Sequence, residues 1–571
     1  MLADLFGVLG FLFILFRAAI LCFQTITVGG VIFVLVVARD CYLRQESWLR
    51  PTKRLIRWAS VGLVFSECLS IVINTLVLTS SGNLAIRDVL GANYVTAGLL
   101  SSLAGIALFV SVGRICDRTN ALLLIPGAII IAASVMTSHS ASRLDDRFLL
   151  VSLTTLHYLG TAAWIGGLPY LFFAMKGVND VAITSRLGRN FSRLALTSVA
   201  LLLLAGLGLG ISYIGSWDAI YGTAYGLMTL TKVFFFGCLL MLGGANYFLV
   251  RKMRSGICGP DVKLSLMRFA EAEVGIGLTV ILAAASLTSQ PPAVDLTQDR
   301  VTLHEIAMRY APRMPRFSSP EVQQLSEASS VIIQRAKAEG RRLPPSFIPG
   351  EEGIDIATPA DIAWSEYNHG WAGILVFFMG ILALLSRSRY FSWARIWPLM
   401  FLGLALFLFL RADPENWPLG PNSFWKSFGV VDVLQHRLAT LLIILFAVFE
   451  WRVQTNRLQS RGAALVFPAV CALGGVVLLT HTHGLTNIKE ELLIELSHTP
   501  IAVFAVIAGW SRWLEVRLPS SNEIRRYLSW VWPVCFILIG LILMDYHEAD
   551  TVQPLLQAGH ASAHSISRTF K

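Results

Sequence analysis

Eleven histidines are the residues of this chain best suited to chemistry. Neutral imidazole is the commonest protein ligand for a metal ion, and a site forms where several rings converge. In LLTHTHGLTN, His481 and His483 stand two apart, and a continuous helix would point them about 200° from each other. Gly484 directly after them reads as a helix C-cap that lets both face one site. In ELSHTP, Pro500 suits a first helical turn, so His498 sits where the chain re-enters a helix. His369 follows WSEYN, His436 lies in DVLQHRLA, and His547 follows the last apolar run. Five imidazoles, His369, His436, His481, His483 and His498, would come from four helix ends. Such a set suits copper or the axial positions of haem iron. The bland alternative is that these rings cap helix ends and bond carbonyls.

A second set is sparser. Met136 and His139 are three apart and would share one helix face. With His157 on the next apolar run they offer imidazole and thioether together, a soft set that favours Cu(I) over zinc. Four ionisable residues, Arg17, Glu67, Lys232 and Glu273, lie inside apolar runs, where a charge must face a bundle interior or a water-filled cavity. Arg17 with Glu67, and Lys232 with Glu273, would pair, as structural ion pairs or as a transport relay. No nucleophile elbow, Walker loop or dinucleotide fingerprint is evident, which argues against ATP-driven transport by this chain alone.

The elements that must position these residues are membrane spans. Of 571 residues, 55% are hydrophobic and 14% charged, with a mean hydropathy of +0.63. A soluble domain carries about a quarter charged residues. The net charge of +10 then reflects basic cytoplasmic loops rather than a nucleic-acid partner. Eight cysteines show no CxxC spacing, and most lie in apolar runs, so a disulfide framework is not expected. No Lys or Arg precedes Arg17, so the start lacks the basic region of a signal peptide.

Runs long enough to cross a bilayer are expected near 6–38, 57–80, 88–112, 121–138, 148–174, 194–214, 222–250 and 269–288. Six more follow near 369–386, 395–410, 431–450, 463–480, 499–516 and 528–545. The expected fold is all-α, a polytopic bundle of about 14 spans. Basic residues mark alternate loops: Arg39 to Arg57, Arg114 and Arg118, Lys176 to Arg193, Arg251 to Arg268, Arg387 to Arg395, Arg452 to Arg461, and Arg512 to Arg526. The positive-inside rule puts both termini, and all eleven histidines, on the non-cytoplasmic side of a bacterial inner membrane. His304, His560 and His564 fall in polar segments and read as bystanders. The stretch 291–366 is Pro-rich and reads as a small periplasmic cap or linker, with a helical run near 322–338. It separates an eight-helix module, 1–290, from a six-helix histidine-rich module, 367–547. A periplasmic tail, 548–571, follows.

At LHYLGTAAWIGGLPYL, residues 156–171, the chain resembles the copper-resistance D (CopD) family of bacterial membrane proteins. TSHSAS at 137–142, NFSRLALTSVALLLLAGLGLG at 190–210, GTAYGLMTLTKVFFFGCLLMLGGANY at 222–247 and FAEAEVGIGLTVILAAASLTSQPP at 269–292 support it. The resemblance covers residues 120–292 well and 1–120 by helix layout alone. It implies a copper-handling role, described for the family as moving copper from the periplasm across the cytoplasmic membrane. His139, His157, Trp164, Gly166 and Gly167 match its motif positions, and Lys232 and Glu273 its intramembrane charges. The expected cargo is copper ion, as Cu(I), with a periplasmic copper chaperone as partner and membrane lipid around the bundle. The family's helical layout also resembles di-haem membrane cytochromes, which keeps haem b as the alternative cofactor for a redox protein acting on copper or a quinone. A third expectation is a non-catalytic scaffold for metalloenzyme assembly. No family resemblance covers the six-helix module.

Overall fold

The computed structural model describes residues 2–40, 46–81, 85–114, 120–254, 260–288, 290–297, 300–320, 359–413, 416–427, 431–480 and 488–547. Among these, the chain is helical throughout, with a single isolated bridge between Asn416 and Asn422 in place of any strand. The protein is an all-α polytopic helical bundle. Eleven helices are long and apolar enough to span a bilayer, and two shorter apolar helices cover 121–136 and 463–479. With Val431–Gln454, each of the fourteen expected segments is helical.

The residues expected as the first module hold α1 (Leu2–Ile32), α2 (Glu46–Ser81), α3 (Asn93–Ser111), α4 (Leu124–Met136), α5 (Arg147–Trp164), α6 (Leu168–Gly177), α7 (Val181–Ile214), α8 (Ala224–Arg254) and α9 (Pro260–Leu287). The second comprises α10 (Pro359–Leu385), α11 (Met400–Arg411), α12 (Val431–Gln454), α13 (Val466–Thr480), α14 (Ile488–Arg517) and α15 (Ile524–Met544). The faces turned away from the bundle are apolar: Phe65, Leu103, Leu207, Ile211 and Val233 are exposed. That is the surface a helix presents to lipid.

With no hydrophobic drive between helices in lipid, close backbone packing through small residues holds a bundle together. A Cβ on Gly166 would lie 2.0 Å from the Thr25 carbonyl of α1, and one on Gly29 would lie 2.4 Å from the Ala162 carbonyl. The expected fifth span is accordingly broken at Ile165–Gly167, between α5 and α6, where α1 crosses it. Tyr170 seals the crossing by donating to the Ile26 carbonyl at 2.8 Å. In the second module α10 and α15 pack the same way: a Cβ on Gly540 would sit 2.5 Å from the Phe377 nitrogen.

Polar contacts sort the loops onto two sides. On one, the basic loops meet: Asp40 with Arg186, Lys53 with the Gly113 carbonyl, Asp261 with Ser521, and Glu271 with Arg517. On the other lie Arg143–Asp295, Arg300–Asp218 and Arg309–Ser497, beside His139, His369, His498 and His547. His139, His369, His498 and His547 therefore lie on the side opposite the basic loops, while His157 stands inside α5. The modules meet through α9 and α14. Trp510 of α14 lies so close to Gly275 of α9 that a Cβ there would fall 1.6 Å from the indole.

Two expected elements are redrawn. The sequence NIKEELLIEL is amphipathic, a pattern suited to lying along the interface between two spans. Instead Ile488 begins α14, which runs unbroken to Arg517 with Pro500 inside it. His498 thus stands ten residues into a helix rather than at its start. The apolar residues of that segment explain the extension: Leu492, Leu493 and Leu496 pack against Ala224 of the first module and Val301 of the connecting segment. The run at 322–338 and the pair His481 and His483 with Gly484 lie outside the described residues, as do His560 and His564.

Candidate functional site

In the first module two histidines stand at different depths. His139 opens a short helix, His139–Ser142, after the end of α4. Ser140 fixes that helix to α5 and α7 through Thr154 at 2.6 Å and Tyr213 at 2.7 Å. The His139 Nε2 is buried without a partner. Burial holds this imidazole below its ordinary value, opposed by a hydrogen bond with the Thr288 backbone and reinforced by Arg17 and Arg143. The ring is therefore neutral at neutral pH, the state a metal needs. His157 lies ten residues into α5, about 15 Å below its start at 1.5 Å per residue. Its Nδ1 is also buried and unpartnered. Lys232 of α8 is close enough to act on it electrostatically.

Met136 does not join this set as expected. Thr137 ends α4 and Ser138 is extended, so Met136 and His139 share no continuous helix face. Met136 is 37% exposed on the outside of the bundle. A short polar TSHS stretch ends the helix before the i, i+3 relation can form.

The expected pairing of Lys232 with Glu273 is also replaced. Glu273, 2% exposed, accepts hydrogen bonds from the Asn246 amide and the Trp164 indole. Trp164 thus serves Glu273, Gly166 serves the crossing with α1, and Gly167 makes room for Phe191 of α7. Arg17 and Glu67 are similarly separated: Arg17 donates to Thr137 at 3.3 Å, and Glu67 is bonded by Ser101 and feels Arg17 only through space. In each case short neutral donors on the neighbouring helix lie nearer than the expected countercharge. A cavity of about 340 Å³ adjoins Glu273, bounded by Trp164, Phe191, Ser192, Gly244, Asn246 and Tyr247 among others.

In the second module the structure brings His369 and His498 together, with ring centroids 6.0 Å apart and planes at 85°. Tyr546 stacks on His369 at 3.8 Å and stands 5.8 Å from His498. Arg309 from the connecting segment covers Tyr546 at 4.8 Å. Each imidazole places Nδ1 against the carbonyl four residues earlier, Ser365 at 2.8 Å and Ile494 at 2.9 Å. That fixes the proton on Nδ1 and the lone pair on Nε2, the orientation used by metal-bound histidines. His436 lies elsewhere, half exposed and bonded to Asp413 at 2.8 Å. His547 faces carbonyls through both nitrogens, Asp545 at 3.1 Å and Met308 at 3.2 Å. The expected five-ring cluster is thus, among the described residues, a pair. No three His, Cys, Asp or Glu side chains converge on one point among those residues.

Asn246, Tyr546 and Arg309 escaped the sequence. Asn246 carried a signal, a polar residue inside an apolar span. Arg309 carried none, because 188 residues separate it from Ser497, which it bonds at 3.3 Å.

The fold and these sites define a polytopic membrane protein with histidines gathered on one side and charges held inside its first module. Residues 185–287, which include Lys232 and Glu273, match the family described as Copper resistance protein D. Over that stretch the chain is similar to the family that its motifs resemble. It is also 30% identical over 165 residues to the Copper transport protein CutJ of Bacillus subtilis (strain 168). That match spans 28% of this chain and 29% of the relative, well under two thirds of the relative's length. No solved structure gives a significant match.

Proposed function

We propose that this protein binds copper as Cu(I) on the histidine side and carries it across the bacterial inner membrane, that side facing the periplasm. The observation that carries this proposal is the pair of buried ring nitrogens, His139 Nε2 and His157 Nδ1, left without protein partners in the helices that precede the CopD-like residues 185–287. A buried polar atom without a partner costs roughly 1–3 kcal/mol, and a bound ion removes that cost. His139 then serves as the entry ligand and His157 as a deeper one. His369 and His498 form a second capture point where a periplasmic copper chaperone could deliver its ion.

The alternative is a haem-binding redox protein. The Nδ1-fixed imidazoles of His369 and His498 suit axial ligation in their tautomer. Tyr546 lies against both rings, however, and a porphyrin between them would have to displace it. This packing favours an ion. Elemental analysis and an absorbance spectrum of the purified protein separate the two. Copper that binds the wild type and is lost in His139→Ala and His157→Ala supports the proposal. Unchanged copper content in both variants refutes it, and a Soret band would assign the second pair to haem.

A further inference from the structure

Glu273 has no role in capturing copper at the histidines. It lies fourteen residues from the outer end of α9, about 21 Å at 1.5 Å per residue, toward the basic side. Among the described residues no cation pairs with it. The charged groups on the elements around it act elsewhere: Lys232 of α8 on His157, and Arg268 of α9 with Arg517 of α14 on Glu271. Arg512 of α14 binds Glu515. Arg189 and Arg193 of α7, Arg251 and Lys252 of α8 and Arg17 of α1 contribute no charge to it.

The neighbours of Glu273 are matched to a neutral acid. The Asn246 amide nitrogen donates to Glu273 Oε1, while the Asn246 Oδ1 is buried with no donor. A carboxylate has no hydrogen to offer that oxygen, whereas a carboxylic acid has one. A protonated Glu273 and the Asn246 amide can close a two-hydrogen-bond ring, N–H to C=O and O–H to C=O, which satisfies both groups. The Trp164 indole N–H remains as a further donor to the carboxyl. The cavity of about 340 Å³ meets this cluster, with Ser192, Tyr247 and the open flank of Gly244 along its wall. All of its residues on α7 and α8 except Val199 lie in the halves of those helices nearer the basic loops.

We infer that Trp164, Asn246 and Glu273 form an intramembrane proton-binding site, which exchanges through this cavity with the side bearing the basic loops. A hydronium ion in the cavity gives its proton to the Glu273 carboxylate and leaves as water, and release reverses the step. No redox partner is required. The site stands apart from the copper proposal, since it needs only the geometry around Glu273.

Infrared difference spectroscopy of the full-length protein in detergent tests it. At neutral pH the wild type should show a protonated-carboxyl C=O stretch that shifts in D₂O and disappears in Glu273→Gln. Gln resembles the neutral acid in shape, so that variant should keep the wild-type melting temperature. If Glu273→Gln fails to fold, Asn246→Ala serves instead: the band should persist and move in frequency as its amide partner is lost. Gly244→Leu should slow the D₂O shift at least severalfold, because a Cβ there meets nothing and projects into open space. A wild type with no protonated-carboxyl band at neutral pH overturns the inference. So does a band unaltered in both Glu273→Gln and Asn246→Ala.

Discussion

The two histidine pairs differ in how their rings are held. In the first module each ring keeps one buried nitrogen without a partner, and the two stand at successive depths. In the second, both rings are locked by their own helices through the i−4 carbonyls and stacked against Tyr546. Open nitrogens suit an ion passed from one site to the next. Locked rings suit an ion held at one point, because second-shell bonds fix orientation in advance. The modules differ in their charges as well. Glu273 of the first is held by neutral donors, whereas Glu515 of the second is clamped by Arg387 at 2.5 Å and Arg512 at 2.7 Å, with the Trp532 indole donating at 2.9 Å.

The sharpest test of that contrast is Glu515→Ala. It strands two arginines in a largely buried cluster and should cost about 3–5 kcal/mol, read as a lower melting temperature. Glu273→Gln, which strands no charge, should leave the melting temperature close to wild type. Equal losses in the two variants would erase the distinction. Next in size are the histidines. His139→Ala with His157→Ala should weaken copper binding by more than the roughly 10–100-fold that follows loss of a supporting residue. In the second module Tyr546→Leu removes only such a support, and should weaken its copper capture by about 10-fold. Isothermal titration of each variant measures both, and similar losses would break the comparison.

A smaller effect is expected where the modules meet. Gly275→Leu forces Trp510 away from α9 and should cost about 1–3 kcal/mol by overpacking, seen in thermal unfolding. The smallest is Met136→Leu. With Met136 and His139 on no common helix face, this volume-conserving swap should leave copper affinity within about twofold of wild type. A larger loss would return the thioether to the ligand set.

Apolar run length and the placement of basic residues determined the helical class and the fourteen segments, because a span must satisfy its backbone within itself. They also placed His139, His369, His498 and His547 opposite the basic loops, since loop alternation is a property of the chain's order alone. The local motifs pointed to His139, His157, Trp164, Lys232 and Glu273 as residues of one module. Partners were another matter. Lys232 and Glu273 look complementary in the sequence, yet α5 and α8 bring Trp164 and Asn246 to the carboxylate first. His436 looks equivalent to His369 and His498, yet Asp413 takes it. Which ring meets which depends on helix rotation and crossing, set by close contacts such as Gly166 on Thr25 and Gly275 on Trp510. Those contacts join residues up to hundreds of positions apart, and only the packed bundle decides them.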